Sequence, residues 1–332
     1  MRRRSIIQML VIGVIAGLLT AAVAYFIPWL PDAAAEEAGT IDNVYWLATI
    51  ICIVIFGLVA GVTVYSVFKF RVRPDDEEDG SPIHGHTGLE IFWTAVPTVL
   101  VTAISVYSGV VLVQNEDAKP NRRVVEVTAE QFAWSFHYPD EEITSGELVL
   151  PTGQQVELKM TSKDVIHAFW VPEWRLKQDV VPGIFTRLLI TPTKEGTFPV
   201  ICTELCGLGH AVMRSRARVL DQAGFDAWVA DVKQAQADGG SVQGKELFAS
   251  AGCSACHTLA DAGATGQVGP SLDAVLLGRD AAFVKQSILD PNAEIADGYQ
   301  PGVMPQNYGD QLSQAQIDGL VEYLLKATGG EG

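Results

Sequence analysis

Two short stretches concentrate the ligand chemistry of this chain. "CTELCGLGHAVM", residues 202–213, packs Cys202, Cys206, His210 and Met213 into twelve positions. "CSACH", residues 253–257, sets Cys253 and Cys256 two residues apart with His257 directly after. The second spacing reads as a c-type haem attachment site, where thiols add to the haem vinyl groups and the histidine coordinates iron from one side. Two intervening residues let the thiols span both vinyls, and the adjacent histidine falls beneath the iron. Met304, in the Gly/Pro-rich "PGVMP", can bring a thioether to the opposite face.

The first stretch admits three occupants. A disulfide between Cys202 and Cys206 is sterically conceivable in a turn, but it leaves His210 and Met213 unexplained. Zinc would use both cysteines, His210 and one more histidine in a closed tetrahedron, and has little use for a thioether. Thiolate, imidazole and thioether on one loop are what copper prefers. Two cysteines suggest two coppers sharing both thiolates, and the strand-like "VIHAFWVP" supplies a second imidazole, His167.

The elements that must position these residues follow from the rest of the chain. At 332 residues more than one folding unit is expected. A formal charge of −16 argues against nucleic acid, whose phosphates need clustered Lys and Arg, and leaves basic or small electroneutral partners. Mean hydropathy of +0.21 with 19% charged residues points to a membrane protein carrying soluble parts. Three apolar runs stand near the N-terminus: Ile6 to Trp29, Val44 to Phe68 and Leu89 to Val113. The last two exceed the ~20 residues a helix needs to cross the hydrocarbon core. The first, after Arg2-Arg3-Arg4 and before Ala33-Ala34-Ala35, reads either as a secretory signal or as a retained third helix.

Residues 30–43 hold Asp32, Glu36, Glu37 and Asp42 without Lys or Arg, whereas Lys69, Arg71 and Arg73 follow the second run. The positive-inside bias therefore puts the 69–88 loop in the cytoplasm and everything after Val113 outside. There, thiols oxidise unless they are bonded to something, so each outer cysteine pair is a short disulfide or a cofactor attachment. Cys52, inside the second run, reads as a small hydrophobe.

From Arg122 to Leu220 short β-branched and aromatic runs alternate with turn residues, and about seven strands predict a Greek-key sandwich or barrel. The segment "FDAWVADVKQAQ" has helical character, and "ADGGS", 237–241, reads as a linker. Beyond it a small, mostly helical domain ends in "LSQAQIDGLVEYLLKA". There Ser313 and Gln316 form a capping box, and Ile317, Leu320, Val321, Leu324 and Leu325 recur at helical spacing.

The pattern C-x-E-x-C-G-x-x-H-x-x-M, with the upstream V-x-H-x-F-x-V-P, resembles the binuclear CuA site of subunit II of cytochrome c oxidase over residues 44–220. CSACH, Gly269-Pro270 and Met304 make residues 241–328 similar to a class I cytochrome c, as in oxidases whose second subunit carries its own haem c. The resemblance implies that Cys202 and Cys206 bridge two coppers, His167 and His210 are terminal ligands, and Met213 and the Glu204 carbonyl are axial donors. It points the Glu204 side chain at a magnesium or manganese ion shared with subunit I. It also implies covalent haem c on Cys253 and Cys256, with His257 and Met304 on the iron.

The implied organisation runs from a signal or additional transmembrane helix with an outer loop (1–43), through a transmembrane hairpin (44–113) and an all-β cupredoxin domain (114–222), to a helix and linker (223–240) and an all-α cytochrome c (241–332). The implied activity is that of the electron-accepting subunit of a proton-pumping, dioxygen-reducing oxidase in a bacterial plasma membrane. Subunits I and III are partners, and cytochrome c or a cytochrome c reductase is the donor. A membrane-anchored electron carrier or copper-delivery protein without an oxidase core is the alternative. Glu90 and the Glu204 side chain discriminate, since a free carrier needs neither a proton-path acid nor an intersubunit metal ligand. A quinol oxidase subunit would lack the copper ligands present here.

Glu90, at the start of the third run, reads on its own as a helix-start carboxylate favoured by the macrodipole. The family pattern, with Trp93 three residues on, places it at the mouth of the proton channel into subunit I. His84 and His86 read as solvated loop histidines, and His137 as surface. Two departures from the family stand out. Phe132 occupies the position of the tryptophan that receives electrons from soluble cytochrome c in many relatives, while Trp134 is kept as an electron-transfer candidate. The Pro-Gly-Arg after "LKQD" is Pro182-Gly183-Ile184 here.

Overall fold

The structure, a computed structural model, describes residues 3–71, 82, 84–237, 241–306, 308–312 and 314–330. Arg73, Ser313 of the capping box and the middle of the 237–241 linker lie outside them. The apolar runs fold as α1 (Arg3–Phe26), α2 (Glu36–Lys69) and α3 (Thr87–Asn115), each long and apolar enough to span a bilayer. Both readings of the first run require a helix, and α1 is one. Helix α2 starts two turns ahead of Val44, because Glu36 and Glu37 in its first turn complement the positive end of the macrodipole. Helices α1 and α2 approach at glycines: a Cβ on Gly13 would fall 2.7 Å from the Gly57 carbonyl oxygen, so any larger residue would force the backbones apart.

Residues Ala33–Glu37 and Ala118–Gly332 form a second unit. Its first part is a sandwich of β1 (Arg123–Glu130), β2 (Ala133–Tyr138), β3 (Ile143–Ser145), β4 (Leu148–Pro151), β5 (Val156–Ser162), β6 (His167–Trp170), β7 (Lys177–Val180), β8 (Thr186–Ile190), β9 (Gly196–Cys202) and β10 (Arg214–Leu220). One sheet runs β3-β2-β1-β5-β8 and the other β4-β10-β9-β6-β7. The β1–β5 and β4–β10 pairs are parallel and the rest antiparallel. Alternation does the sorting: Val156, Leu158 and Met160 of β5 are fully buried, and each such side chain stabilises the core by roughly 1.5–3 kcal/mol.

The sandwich has ten strands among the described residues rather than about seven. The run 122–138 breaks at Gln131-Phe132 and folds back as β1 and β2. Strands β3 and β7 are short pieces held by their neighbours β2 and β6, with no alternation long enough to read.

Helix α4 (Gln222–Ala237) closes the sandwich by packing Trp228 and Phe225 against Tyr138, with ring centroids 5.2 and 6.4 Å away. The C-terminal region contains α5 (Ser241–Ser250), α6 (Cys253–Cys256), α7 (Leu272–Val275), α8 (Ala281–Leu289), α9 (Tyr308–Gln311) and α10 (Gln314–Thr328). The apolar stripe of α10 (Ile317, Leu320, Val321, Leu324 and Leu325) is buried, as its spacing requires, against Phe248, Leu259, Val284 and Ile288.

Candidate metal centres

Strand pairing places the first set of donors. Phe169 of β6 lies opposite Cys202 at the end of β9, which sets His167 beside the cysteine two residues along the strand. The loop after β9 turns through Cys206 and returns by a short 3-10 turn, His210–Val212, to Met213 at the head of β10. Cys202 Sγ lies 3.8 Å from His167 Nδ1 and 3.9 Å from Cys206 Sγ. Cys206 Sγ lies 3.7 Å from His210 Nδ1 and 3.7 Å from Met213 Sδ. At the other end Cys202 Sγ is 3.3 Å from the Glu204 carbonyl oxygen.

The set is therefore two sulfurs side by side, each with its own imidazole, and a weak donor at either end. A sulfur separation of 3.9 Å is nearly twice the ~2.05 Å of a disulfide, and both thiols are free. His167, Cys202 and Cys206 have ligand atoms all within 4.8 Å of one another. Soft thiolates with imidazole and thioether suit a copper pair better than one closed zinc tetrahedron.

The electrostatics separate the two thiols. Burial would raise Cys202, but the hydrogen bond to His167 and backbone hydrogen bonds at Ala168 and Glu204 outweigh it and bring the thiol down to about 6. Burial, followed by repulsion from Cys202, pushes Cys206 up to about 12. One thiolate is ready at neutral pH, and a cation would be needed to deprotonate both. His167 is fully buried, and its Nε2 meets Asp164 Oδ1 at 2.9 Å, which leaves Nδ1 facing Cys202. Burial opposes a charged imidazole, but the bonds to Cys202 and Asp164 raise the His167 pKa overall.

The second set surrounds a cavity of about 880 Å³. Cys253 and Cys256 lie on the single turn α6, and His257 and Met304 line the same space with Phe283, Leu324 and Tyr308. His257 Nδ1 is 2.9 Å from the Pro270 carbonyl oxygen, so Nε2 is the ring nitrogen left for a metal. Gly269 lies directly beneath the ring, where a Cβ would fall 2.8 Å from Nδ1. Burial lowers His257, so its imidazole is neutral at pH 7, and burial lifts Cys253 to about 12 and raises Cys256. A mostly apolar, ligand-sized hole with two thiols and an imidazole on one wall fits a haem.

The remaining sequence-derived residues are placed as follows. Trp134 is buried, edge-on to Phe169 at 5.6 Å and 6.2 Å from the His167 ring. The Glu204 residue is exposed. Glu90 accepts from the His86 backbone N–H at 3.0 Å while His86 Nδ1 accepts from Leu89 N–H at 3.1 Å, a reciprocal cap at the start of α3. His86 is thus a helix cap rather than a plain loop histidine. His137 pairs with Thr144 Oγ1 at 3.2 Å on the sheet.

Asp164, not singled out in the sequence, joins the site, and Phe132, marked there only as a departure from the family, gains a place in it. Asp164 orients His167, and Phe132 lines the large cavity while its ring packs against Gly209 of the copper loop. The D-x-x-H spacing was the available signal for Asp164.

Helices able to span a membrane, a sandwich presenting a cluster of two cysteines and two histidines and a helical region built around a haem-sized cavity define a membrane-anchored redox protein. The model of the cytochrome c oxidase subunit II transmembrane domain matches residues 22–111, that of the periplasmic domain 143–219, and that of cytochrome c 241–328. Cytochrome c oxidase subunit 2 of Thermostichus vulcanus is 33% identical over 269 residues, covering 65% of this chain and 82% of the relative. The subunit of the same name from Alkalihalophilus pseudofirmus is 31% identical over 299 residues, covering 83% and 84%. Among solved structures, the periplasmic domain of subunit II of Bradyrhizobium japonicum cytochrome oxidase shares 31% identity over 35% of this chain and 96% of that one, with a TM-score of 0.34, too low to bear on the fold.

The chain belongs to the cytochrome c oxidase subunit II family. It is a multi-pass membrane subunit of a haem-copper oxidase, with subunit I as partner, a periplasmic CuA domain and a cytochrome c domain that give it an electron-transfer role.

Proposed function

We propose that this subunit accepts electrons at a haem c of its own and passes them through the copper pair to the haems of subunit I, where dioxygen is reduced to water and protons are pumped. When bound, the two groups would supply one-electron redox chemistry that this chain's side chains lack. The chain's residues do the positioning. Cys253 and Cys256 would hold the haem covalently, and His257, its Nδ1 tied to Pro270, with Met304 would ligate its iron. Cys202, Cys206, His167, His210, Met213 and the Glu204 carbonyl, whose donor atoms neighbour one another, would hold the copper pair.

Phe132 supports the direct route most strongly, because one ring lines the haem cavity and packs on the copper loop. Trp134, buried behind His167, is then a core residue rather than the contact with the haem. The exposed Glu204 carboxylate is free to face a magnesium or manganese ion at subunit I, and Glu90 stands at the cytoplasmic mouth of a proton channel. Subunit III and a cytochrome c or its reductase complete the assembly. Domain boundaries fall near residues 113, 222 and 240.

The test is to reduce the haem of the purified oxidase with a light pulse and follow the copper absorbance. Loss of the copper band at the rate at which the haem reoxidises supports the route. A haem that stays reduced beside oxidised copper contradicts it.

A further inference from the structure

Gln131 sits in the turn between β1 and β2 and is bonded to both ligand-bearing loops. Its backbone N–H donates to Asp164 Oδ2 at 2.7 Å, and the other oxygen of that carboxylate lies 2.9 Å from His167 Nε2. Its side-chain amide donates to the carbonyl oxygen of Cys206. Gly207 makes that reach possible, since a Cβ there would fall 2.8 Å from Gln131 Nε2.

The same turn carries the cytochrome region. A Cβ on Gly252, directly before Cys253, would lie 3.1 Å from Ala133 Cβ and 3.4 Å from the Phe132 carbonyl oxygen. The haem-bearing turn and the strand start are therefore in contact through backbone. Gln131 is thus at the junction of three parts: the His167 loop, the Cys206 loop and the seat of the haem-attachment helix.

We propose that Gln131 is a positioning residue for electron transfer, fixing the Cys206 thiolate against His167 and both against the turn on which the haem-bearing helix rests. The inference rests on the copper-ligand reading above. A carbonyl fixed by an amide donor fixes the peptide plane, and with it the direction in which the Cys206 side chain leaves the backbone. Residues that orient metal ligands typically change affinity or activity by about 10- to 100-fold when lost. Burial of Ser162 and of the His167 ring around Asp164 keeps the other end of the bracket rigid, with Ser162 Oγ and the Val165 N–H also on Asp164 Oδ1 at 3.2 and 2.7 Å.

The discriminating variant is Gln131→Glu, nearly the same size but offering a carboxylate where the Cys206 carbonyl needs a donor. In the purified oxidase it should keep both coppers, shift the copper resonance and near-infrared band, and slow haem-to-copper transfer about tenfold, with the haem spectrum unchanged. A structural role alone would lower the melting temperature and leave copper spectrum and rate at wild-type values, and that result overturns the proposal. If Gln131→Glu fails to take up metal, Asp164→Asn reads the same bracket from the His167 side; a wild-type copper spectrum in that variant overturns the proposal too. Failure of the underlying reading is distinguishable, because it would show in the unmutated protein as fewer than two coppers per chain.

Discussion

At the copper loop five neighbouring pairs of donor atoms lie 3.3–3.9 Å apart. In the cytochrome region Cys253, Cys256, His257 and Met304 stand around an 880 Å³ hole. The contrast follows from what holds each set. The donors proposed for copper hang from β6, the end of β9 and the loop leading to β10, and the ladder and apolar core of these strands are formed by the protein alone, so the sandwich positions the site. The residues proposed to hold a haem hang from a one-turn helix and an irregular stretch, and Leu320, Leu324, Val284 and Ile288 of the second core face the cavity. One site is braced by a sandwich that folds around its own core, and the other is a shell whose packing a bound cofactor would complete.

The largest expected effect breaks the contrast at the haem. Replacing Cys253 and Cys256 together with alanine should remove covalent haem and melt the C-terminal helices, read as lost helical circular dichroism, while the sandwich stays folded. Chelating the copper should leave both regions' secondary structure intact. Loss of sandwich structure on copper removal would erase the distinction. Next in size, Cys206→Ser should abolish the binuclear centre, and two coppers per chain by metal analysis would sink the bridging assignment.

Met304→Ala should keep the haem attached but convert its spectrum from low-spin His/Met to a form lacking the sulfur ligand. An unchanged spectrum would remove Met304 from the iron. Smallest is a pH effect confined to the cytochrome region. The hydrogen bond from Tyr323 to Asp261, 2.8 Å, and then Lys245, hold the Asp261 carboxyl below its ordinary 3.8. A depressed carboxylate stabilises the folded state above 3.8 and loses that contribution as pH falls through the folded value. Tyr323→Phe should therefore lower the melting temperature slightly at pH 7, with the difference shrinking below pH 3.8; a pH-independent difference would point to packing instead.

What could be read in the sequence divides along the same line. The copper loop was legible because four of its donors fall within twelve residues and each type is informative about softness. His167 came from a short strand motif 35 residues upstream of Cys202. The haem site announced itself through the fixed geometry of CSACH. Gln131 was silent, since an amide 75 residues from Cys206 carries no signature of what it will touch and only the β1–β2 turn brings it in, whereas Asp164 offered just its D-x-x-H spacing to His167. Phe132 was visible as a departure from a family position, but its place between cavity and loop depends on glycines 207, 209 and 252 folding against it. Glu90 was legible as a helix-start carboxylate, and the cap with His86 is the part that geometry adds.

The central claim is that one chain carries a haem and a copper pair held by the residues named here. Metal analysis with electron paramagnetic resonance on the purified protein tests it most directly. The account predicts two coppers per haem and a copper signal delocalised equally over both nuclei. A single zinc, or no metal with Cys202 and Cys206 joined as a disulfide, would contradict it.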